Sequence, residues 1–424
     1  MPDSAYSVNR NLSHRISRLL QDQTHPDVSI RGALRDDTAI RVVITANEVN
    51  DRHGTGPLVQ RICGNWTNLV SIRAKNDWGG VQDFGDWHVC LHQRARSRRD
   101  CFEQVLRILN GRRIESILCV PFLPEDLLTA IAVQKSFGAK LCAYIMDDQN
   151  VVGRAIPDDL MREFLECCAL RLVTHPELQF AYERKFELPF HILPAIVPDQ
   201  LIARESTAVP QGRRGALLGS FWEQRSFDLL CAALEPSQCE IDWFGNNRSP
   251  WVRFDAEKMR AARIRAHGVI PEDRLAEVLK TYSFVIVPVA PLDGAEASPG
   301  VARLSLPGRI LFTVAASQTP VLVVGSAATC GARFVKHFSV GDAVPYDARR
   351  IAAAIDRLST PEEQRRLRQS AMRIGPALSD GGVGDWVASS LELGRPADAR
   401  FNDLFSGYDG AIEVDGTRRK AAWG

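Results

Sequence analysis

The sequence predicts an α/β protein built from two doubly wound domains, and three observations carry that expectation. Apolar β-branched runs alternate with helical patterns from Arg41 to Leu193 and again from Gly215 to about Gly375. The length of 424 residues exceeds one ordinary core and fits two domains of roughly 150 to 200 residues each, with a cleft between them. The segment from Ala302 to Val324 reads as a Pro-Gly turn, a helix, a Thr-Pro break and a buried strand, behind a small-residue loop from Ala290 to Gly300. Glycine and proline in such a loop let the backbone lie against a ligand while free helix N–H groups face an anion, so phosphate is the expected occupant.

In chain order, residues 1–38 read as a polar extension with one candidate helix near Ser13 to Asp22. Arg41 to Ala46 (RVVITA) is the first buried strand, followed by His53-Gly54-Thr55-Gly56 and a helix at Pro57. Strands follow at Leu69 to Arg73, Val89 to His92, Ser116 to Pro121, Lys140 to Met146, Arg171 to Thr174 and His191 to Leu193. Helices are expected at Asp100 to Asn110, Asp126 to Phe137, Asp158 to Cys168 and Pro176 to Phe186. Prolines at 194 and 198 mark a hinge, so the first domain is taken as 39–198 and the second as 199–375. A crossing C-terminal helix at 376–395, with Trp386, and a polar tail at 396–424 complete the chain.

The 52 basic and 51 acidic residues give a net charge of +1, which supplies no electrostatic reason to expect nucleic acid. No run approaches the roughly 20 apolar residues that cross a bilayer, and no apolar segment follows Arg10 as a signal peptide requires. The ten cysteines form no CxxC pair and read as buried hydrophobes of a reducing cytoplasm. Cys167 and Cys168 would point about 100° apart on a helix, so no metal site is expected there. His92 to Arg99 (HQRARSRR) is the densest basic cluster, either a solvated loop or a patch for an anionic lipid-linked acceptor or membrane face.

Taken together, the C-terminal passages resemble the retaining glycosyltransferases of family 4, which have the GT-B architecture of two Rossmann-like domains facing across a cleft. Ala216 to Leu234 resembles the first strand, glycine turn and basic helix start of the donor domain, and Ile241 to Asn246 the next strand. Arg265 to Pro288 resembles the glycine, Pro-Glu, helix and strand passage that follows, and Ala302 to Val324 the donor-phosphate segment. The resemblance implies a cytoplasmic, metal-independent enzyme without a cofactor, placed in the cytoplasm or at the inner membrane face. Its co-substrate would be a nucleoside-diphosphate sugar, and its acceptor an unidentified glycan, lipid-linked glycan or protein.

By that resemblance the donor and phosphate residues are Gly54, Gly56, Arg225, Gly300, Arg303, Ser305, Arg309 and Thr313, with Arg303 and Arg309 flanking a helix that starts near Leu304. Ser305 and Thr313 occupy the positions of the family's two glutamates, and Ser220 and Arg225 those of its Arg and Lys. Asp147 and Asp148, ending a strand, would orient an acceptor or sugar hydroxyl, or else cap the next turn; Glu296 would hydrogen-bond a ribose or sugar hydroxyl. A lone GxG without a third glycine is not a dinucleotide fingerprint. His53 reads as a polar loop residue, and His175-Pro176-Glu177 as a helix start whose acid favours the dipole. The missing charges at Ser305, Thr313 and Ser220 keep a second class open, a non-catalytic scaffold that binds nucleotide sugar or glycan.

Overall fold

The computed structural model describes residues 27–30, 39–74, 79–81, 83–91, 97–210, 212–221, 223–247, 252–292 and 299–412. Its elements are β1 (Asp27–Ile30), β2 (Ile40–Thr45), α1 (Thr55–Cys63), β3 (Leu69–Arg73), β4 (Trp87–Cys90), α2 (Arg98–Leu109), β5 (Ile114–Val120), α3 (Pro124–Phe137), β6 (Lys140–Ile145), α4 (Asp158–Cys167), β7 (Leu170–Val173), α5 (Pro176–Phe186) and β8 (His191–Ile192). After a 3-10 turn they continue as β9 (Arg214–Leu218), α6 (Gln224–Leu234), β10 (Glu240–Phe244), α7 (Ala256–Ala261), β11 (Ile264–Gly268), α8 (Glu272–Leu279), β12 (Phe284–Pro288), α9 (Pro299–Leu304) and α10 (Gly308–Ser317). The chain closes with β13 (Val321–Val324), α11 (Cys330–His337), β14 (Gly341–Val344), α12 (Ala348–Leu358), α13 (Pro361–Ile374), α14 (Val383–Leu393) and α15 (Arg400–Leu404).

The strands form two sheets, ordered β1-β4-β3-β2-β5-β6-β7-β8 and β11-β10-β9-β12-β13-β14. This is the α/β architecture of two Rossmann-like domains that the alternating pattern predicts. Val42, Val43, Val70, Ile117, Leu141 and Cys142 of the first sheet are fully buried, as are Leu217, Trp243, Val285, Ile286, Val321 and Val323 of the second. Burial on both faces is why these strands read as continuous β-branched runs. The short edge strand β1 pairs antiparallel with β4; β1 is not among the expected strands, because four residues carry too little periodicity. The candidate helix at 13–22 lies outside the described residues.

Local chemistry explains most helix ends. Ser97 and Asp100 form a capping box at α2, Gly138 in the left-handed region closes α3, and Thr360 before Pro361 accepts from Glu363 N to open α13. The basic cluster at 92–99 is described only from Ser97; its Arg98 pairs with Glu163 and its Arg99 with Glu103.

Residue contacts divide the chain into two compact units, 1–150 with 154–171, and 151–153 with 172–424. In the second unit Arg368, only 2% exposed, ties α13 to the sheet: Nε donates to Gln364 Oε1 at 2.9 Å, Nη1 to Thr207 Oγ1 at 2.7 Å, and Nη2 to the Tyr282 carbonyl at 2.8 Å. All ten cysteines are free thiols, Cys167 half-buried and the rest buried.

Candidate donor site

In the second sheet β9 is followed by β10 on one side, and the chain later crosses to place β12 on the other side of β9. The carboxyl ends of β9 and β12 are therefore a topological switch point, where open parallel sheets leave a crevice for ligands. The chain leaves β9 through Gly219, whose φ of +106° requires glycine. A Cβ there would lie 2.1 Å from Arg309 Nη1, so the bare backbone also makes room for that guanidinium. Gly245, at the end of β10, is bare for the same reason, since its Cβ would meet the Gly219 carbonyl at 2.0 Å.

Arg309 stands in the first turn of α10 and reaches this crevice. Its Nη2 donates to the Pro288 carbonyl at the end of β12, at 2.8 Å, and among the described residues its buried Nε has no hydrogen-bond partner. Desolvation lowers the guanidinium to about 10, with the Tyr346 hydroxyl acting slightly against it, so it stays cationic at neutral pH. Tyr346 itself donates to the Val289 carbonyl at 2.7 Å. A half-buried cation with one neutral acceptor and one unused donor favours an anion that can take the fork of a guanidinium.

The other predicted donor residues are placed unevenly. Ser220 follows Gly219 and its Oγ accepts from Asn246 N at 3.3 Å. Arg225 is half-buried in the first turn of α6. The expected single helix near Leu304 is instead two: Gly300 and Arg303 belong to α9, Ser305 to the link at 305–307, and Arg309 to α10. Arg303 and Arg309 therefore do not flank one helix start, because Pro307 ends the first turn sequence and opens the second helix. Thr313 is fully buried and its hydroxyl donates to the Arg309 carbonyl at 2.7 Å. That hydroxyl is spent inside the helix, the usual fate of a threonine mid-helix. Glu296 and Asp293 lie outside the described residues.

In the first sheet the corresponding switch point is at β2 and β5. Gly56 is buried, and a Cβ on it would lie 1.9 Å from the Asn50 carbonyl oxygen, so its bareness lets the loop after β2 fold onto α1. A side chain at Gly54 would meet open space. His53 Nδ1 lies 3.0 Å from Thr55 Oγ1, and burial lowers its pKa. Asp126, not among the candidate site residues, accepts from Phe122 N at 2.9 Å and Leu123 N at 3.0 Å; burial pushes its carboxyl up to about 7. Asp148 is buried and accepts from Asn150 N at 3.0 Å, which is the turn-capping role. Asp147 reaches solvent but is crowded by surrounding protein, and that desolvation together with the Asp148 charge raises its carboxyl.

No known protein-family profile matches the chain, and no curated protein is similar to it in sequence. Solved structures are similar in fold. Anabaena Alr3699/HepE, solved with UDP and glucose, superposes with a TM-score of 0.59 at 11% identity, over 84% of this chain and 100% of that one. WaaG, a glycosyltransferase of lipopolysaccharide biosynthesis, gives 0.54 at 10% identity over 83% and 99% of the two chains. A UDP-N-acetylglucosamine 2-epimerase gives 0.51 at 11% identity over 88% and 98%. The chain therefore has the GT-B architecture, as its resemblance to the glycosyltransferases implies. Among the described residues no helix is long and apolar enough to cross a membrane.

Proposed function

We propose that the chain is a glycosyltransferase that takes a nucleoside-diphosphate sugar at the carboxyl edge of its second sheet and transfers the sugar, with retention, to an acceptor in glycan or polysaccharide synthesis. The observation that carries the reading is Arg309: a cation at the β9/β12 switch point with a glycine turn cleared for it and a buried donor unused. The fold relatives support the substrate class, since one was solved with UDP and glucose and another is a UDP-N-acetylglucosamine epimerase.

In this reading the departing diphosphate carries the charge that develops in the transition state, and Arg309 with Arg225 neutralises it without a catalytic metal. Asp147 or Asp148 orients a hydroxyl in the first domain, and Glu296 takes over hydrogen bonding from the family's glutamates. A second reading is favoured by Thr313, whose buried and occupied hydroxyl supplies no carboxylate function there: the chain would bind nucleotide sugar as a scaffold without transfer.

Calorimetry with UDP on the wild type, Arg309→Met and Arg225→Ala, followed by an assay for released UDP with sugar donors and cell-extract acceptors, tests both. Binding that either arginine variant weakens, with turnover, supports the enzyme. Such binding without turnover supports the scaffold, and affinity indifferent to both arginines rejects this site.

A further inference from the structure

Three side chains that the donor site does not use converge behind α9. His175 and Glu177 stand where β7 gives way to α5, and Cys330 is the first residue of α11. All three are buried, and one ligating atom from each lies within 4.8 Å of the others, the one such trio among the described residues. Imidazole nitrogen, carboxylate oxygen and thiol sulfur are the donor set of zinc. Bonds of roughly 2.0 to 2.3 Å place the ligands of one tetrahedron about 3.3 to 3.8 Å apart, within the observed spread.

Two of the atoms a metal would take, on His175 and Glu177, are left without a hydrogen bond of ordinary geometry among the described residues, while Cys330 Sγ meets the Arg303 carbonyl. His175 Nδ1 lies 2.8 Å from Thr174 Oγ1, while no hydrogen bond of ordinary geometry reaches Nε2 from the described residues. Glu177 Oε1 accepts from the Tyr408 hydroxyl at 2.6 Å and faces Arg333 Nε at 3.5 Å, while Oε2 has no such bond. A second partner on the remote atom of each ligand is how proteins orient metal-binding imidazoles and carboxylates.

Cys330 Sγ donates to the Arg303 carbonyl. Zinc entering the trio would displace the thiol proton to solvent and form the Zn–S bond. The charge of Zn²⁺ is then balanced by thiolate and carboxylate, and Arg333 keeps its place on Oε1.

We propose that His175, Glu177 and Cys330 form a zinc site, with water in the fourth position, that pins the starts of α5 and α11 together behind the end of α9. The site stands independently of the proposed glycosyl transfer.

The full chain, expressed with zinc and gel-filtered, should carry about one zinc by mass spectrometry, and Cys330→Ser and His175→Gln should each retain less than about a tenth of that. Cobalt in place of zinc should show thiolate-to-cobalt charge transfer and tetrahedral d–d bands that Cys330→Ser lacks. The wild type suffices where those variants fail to fold: protein stripped by chelator should melt higher on adding zinc and not magnesium. Thr174→Val, with an unchanged circular dichroism spectrum, should weaken zinc about 10- to 100-fold through the loss of the Nδ1 partner. Metal content below about a tenth per chain, with no cobalt bands and a melting temperature indifferent to zinc, would overturn the site and leave the trio as a hydrogen-bonded seat for Tyr408.

Discussion

Two arginines of the second unit, Arg368 on α13 and Arg309 on α10, are crowded enough by protein that desolvation brings each guanidinium down to about 10. They answer that cost in opposite ways. Arg368 is enclosed and spreads its donors over Gln364, Thr207 and the Tyr282 carbonyl, so its charge is consumed in joining a helix to the sheet. Arg309 is half-buried, holds one carbonyl and leaves Nε unused at the switch point of the sheet. Burial of a charge is thus no sign of function by itself. An unfilled hydrogen-bonding capacity beside a ligand crevice is.

The largest effect should come from Arg368→Met, which removes the shared donor of the buried Gln364 side chain and of the Tyr282 and Ser317 carbonyls. We expect a loss of about 3 to 5 kcal/mol in denaturant unfolding, with UDP affinity of the folded protein unchanged. A loss within about 1 kcal/mol would erase the contrast with Arg309.

Arg309→Met should do the reverse. Stability should move by less than about 1 kcal/mol, because a desolvation penalty disappears along with one bond to a neutral carbonyl. UDP affinity should fall by about 1.5 to 3 kcal/mol, roughly 10- to 150-fold in calorimetry. Unaltered affinity would make Arg309 a second structural arginine.

A third basic group sharpens the comparison by giving up its charge. Burial, with the Arg73 guanidinium adding to it, lowers His88 on β4 from 6.5 to about 4. The unfolded chain therefore binds this proton first as pH falls. The stability tied to the neutral ring is complete above about pH 6.5 and lost on the way down to about 4, some 2 kcal/mol of it by pH 5. Unfolding of the wild type and His88→Gln at pH 7 and pH 5 measures this, and equal losses in the two proteins would mean that the folded ring is charged.

The smallest effect belongs to Thr313→Val. Its hydroxyl serves only the Arg309 carbonyl, so UDP affinity should change less than about twofold and stability by less than about 1 kcal/mol. A large loss of affinity would return Thr313 to the donor site.

Much of the fold was legible because its signals are local. The β-branched run at Leu69–Arg73 and the Pro-to-Phe helix at Pro176–Phe186 have the bounds their patterns predict. Each depends on side-chain periodicity and on proline or a polar cap at one end. The site was legible in part. Arg309 was among the candidates because it stands at a Pro-Gly helix start. Gly219, which clears the space for it, was not, since one glycine after a strand shows no partner. Asp126 was passed over because an acid near a helix start usually faces water, whereas here it gathers two backbone amides in the interior.

By itself the sequence determined the alternating α/β plan, the position of the donor-like segment and the absence of acid at Ser305 and Thr313, all of them properties of residue type and spacing along one chain. Only the tertiary structure decided which polar groups are spent and which are left over. Arg368 and Arg309 are the same residue in similar helices, and His175 and Cys330 are far apart in the sequence before folding sets them side by side. The physical reason is that desolvation and hydrogen-bond satisfaction are set by neighbours in space, and those neighbours come from distant strands and turns.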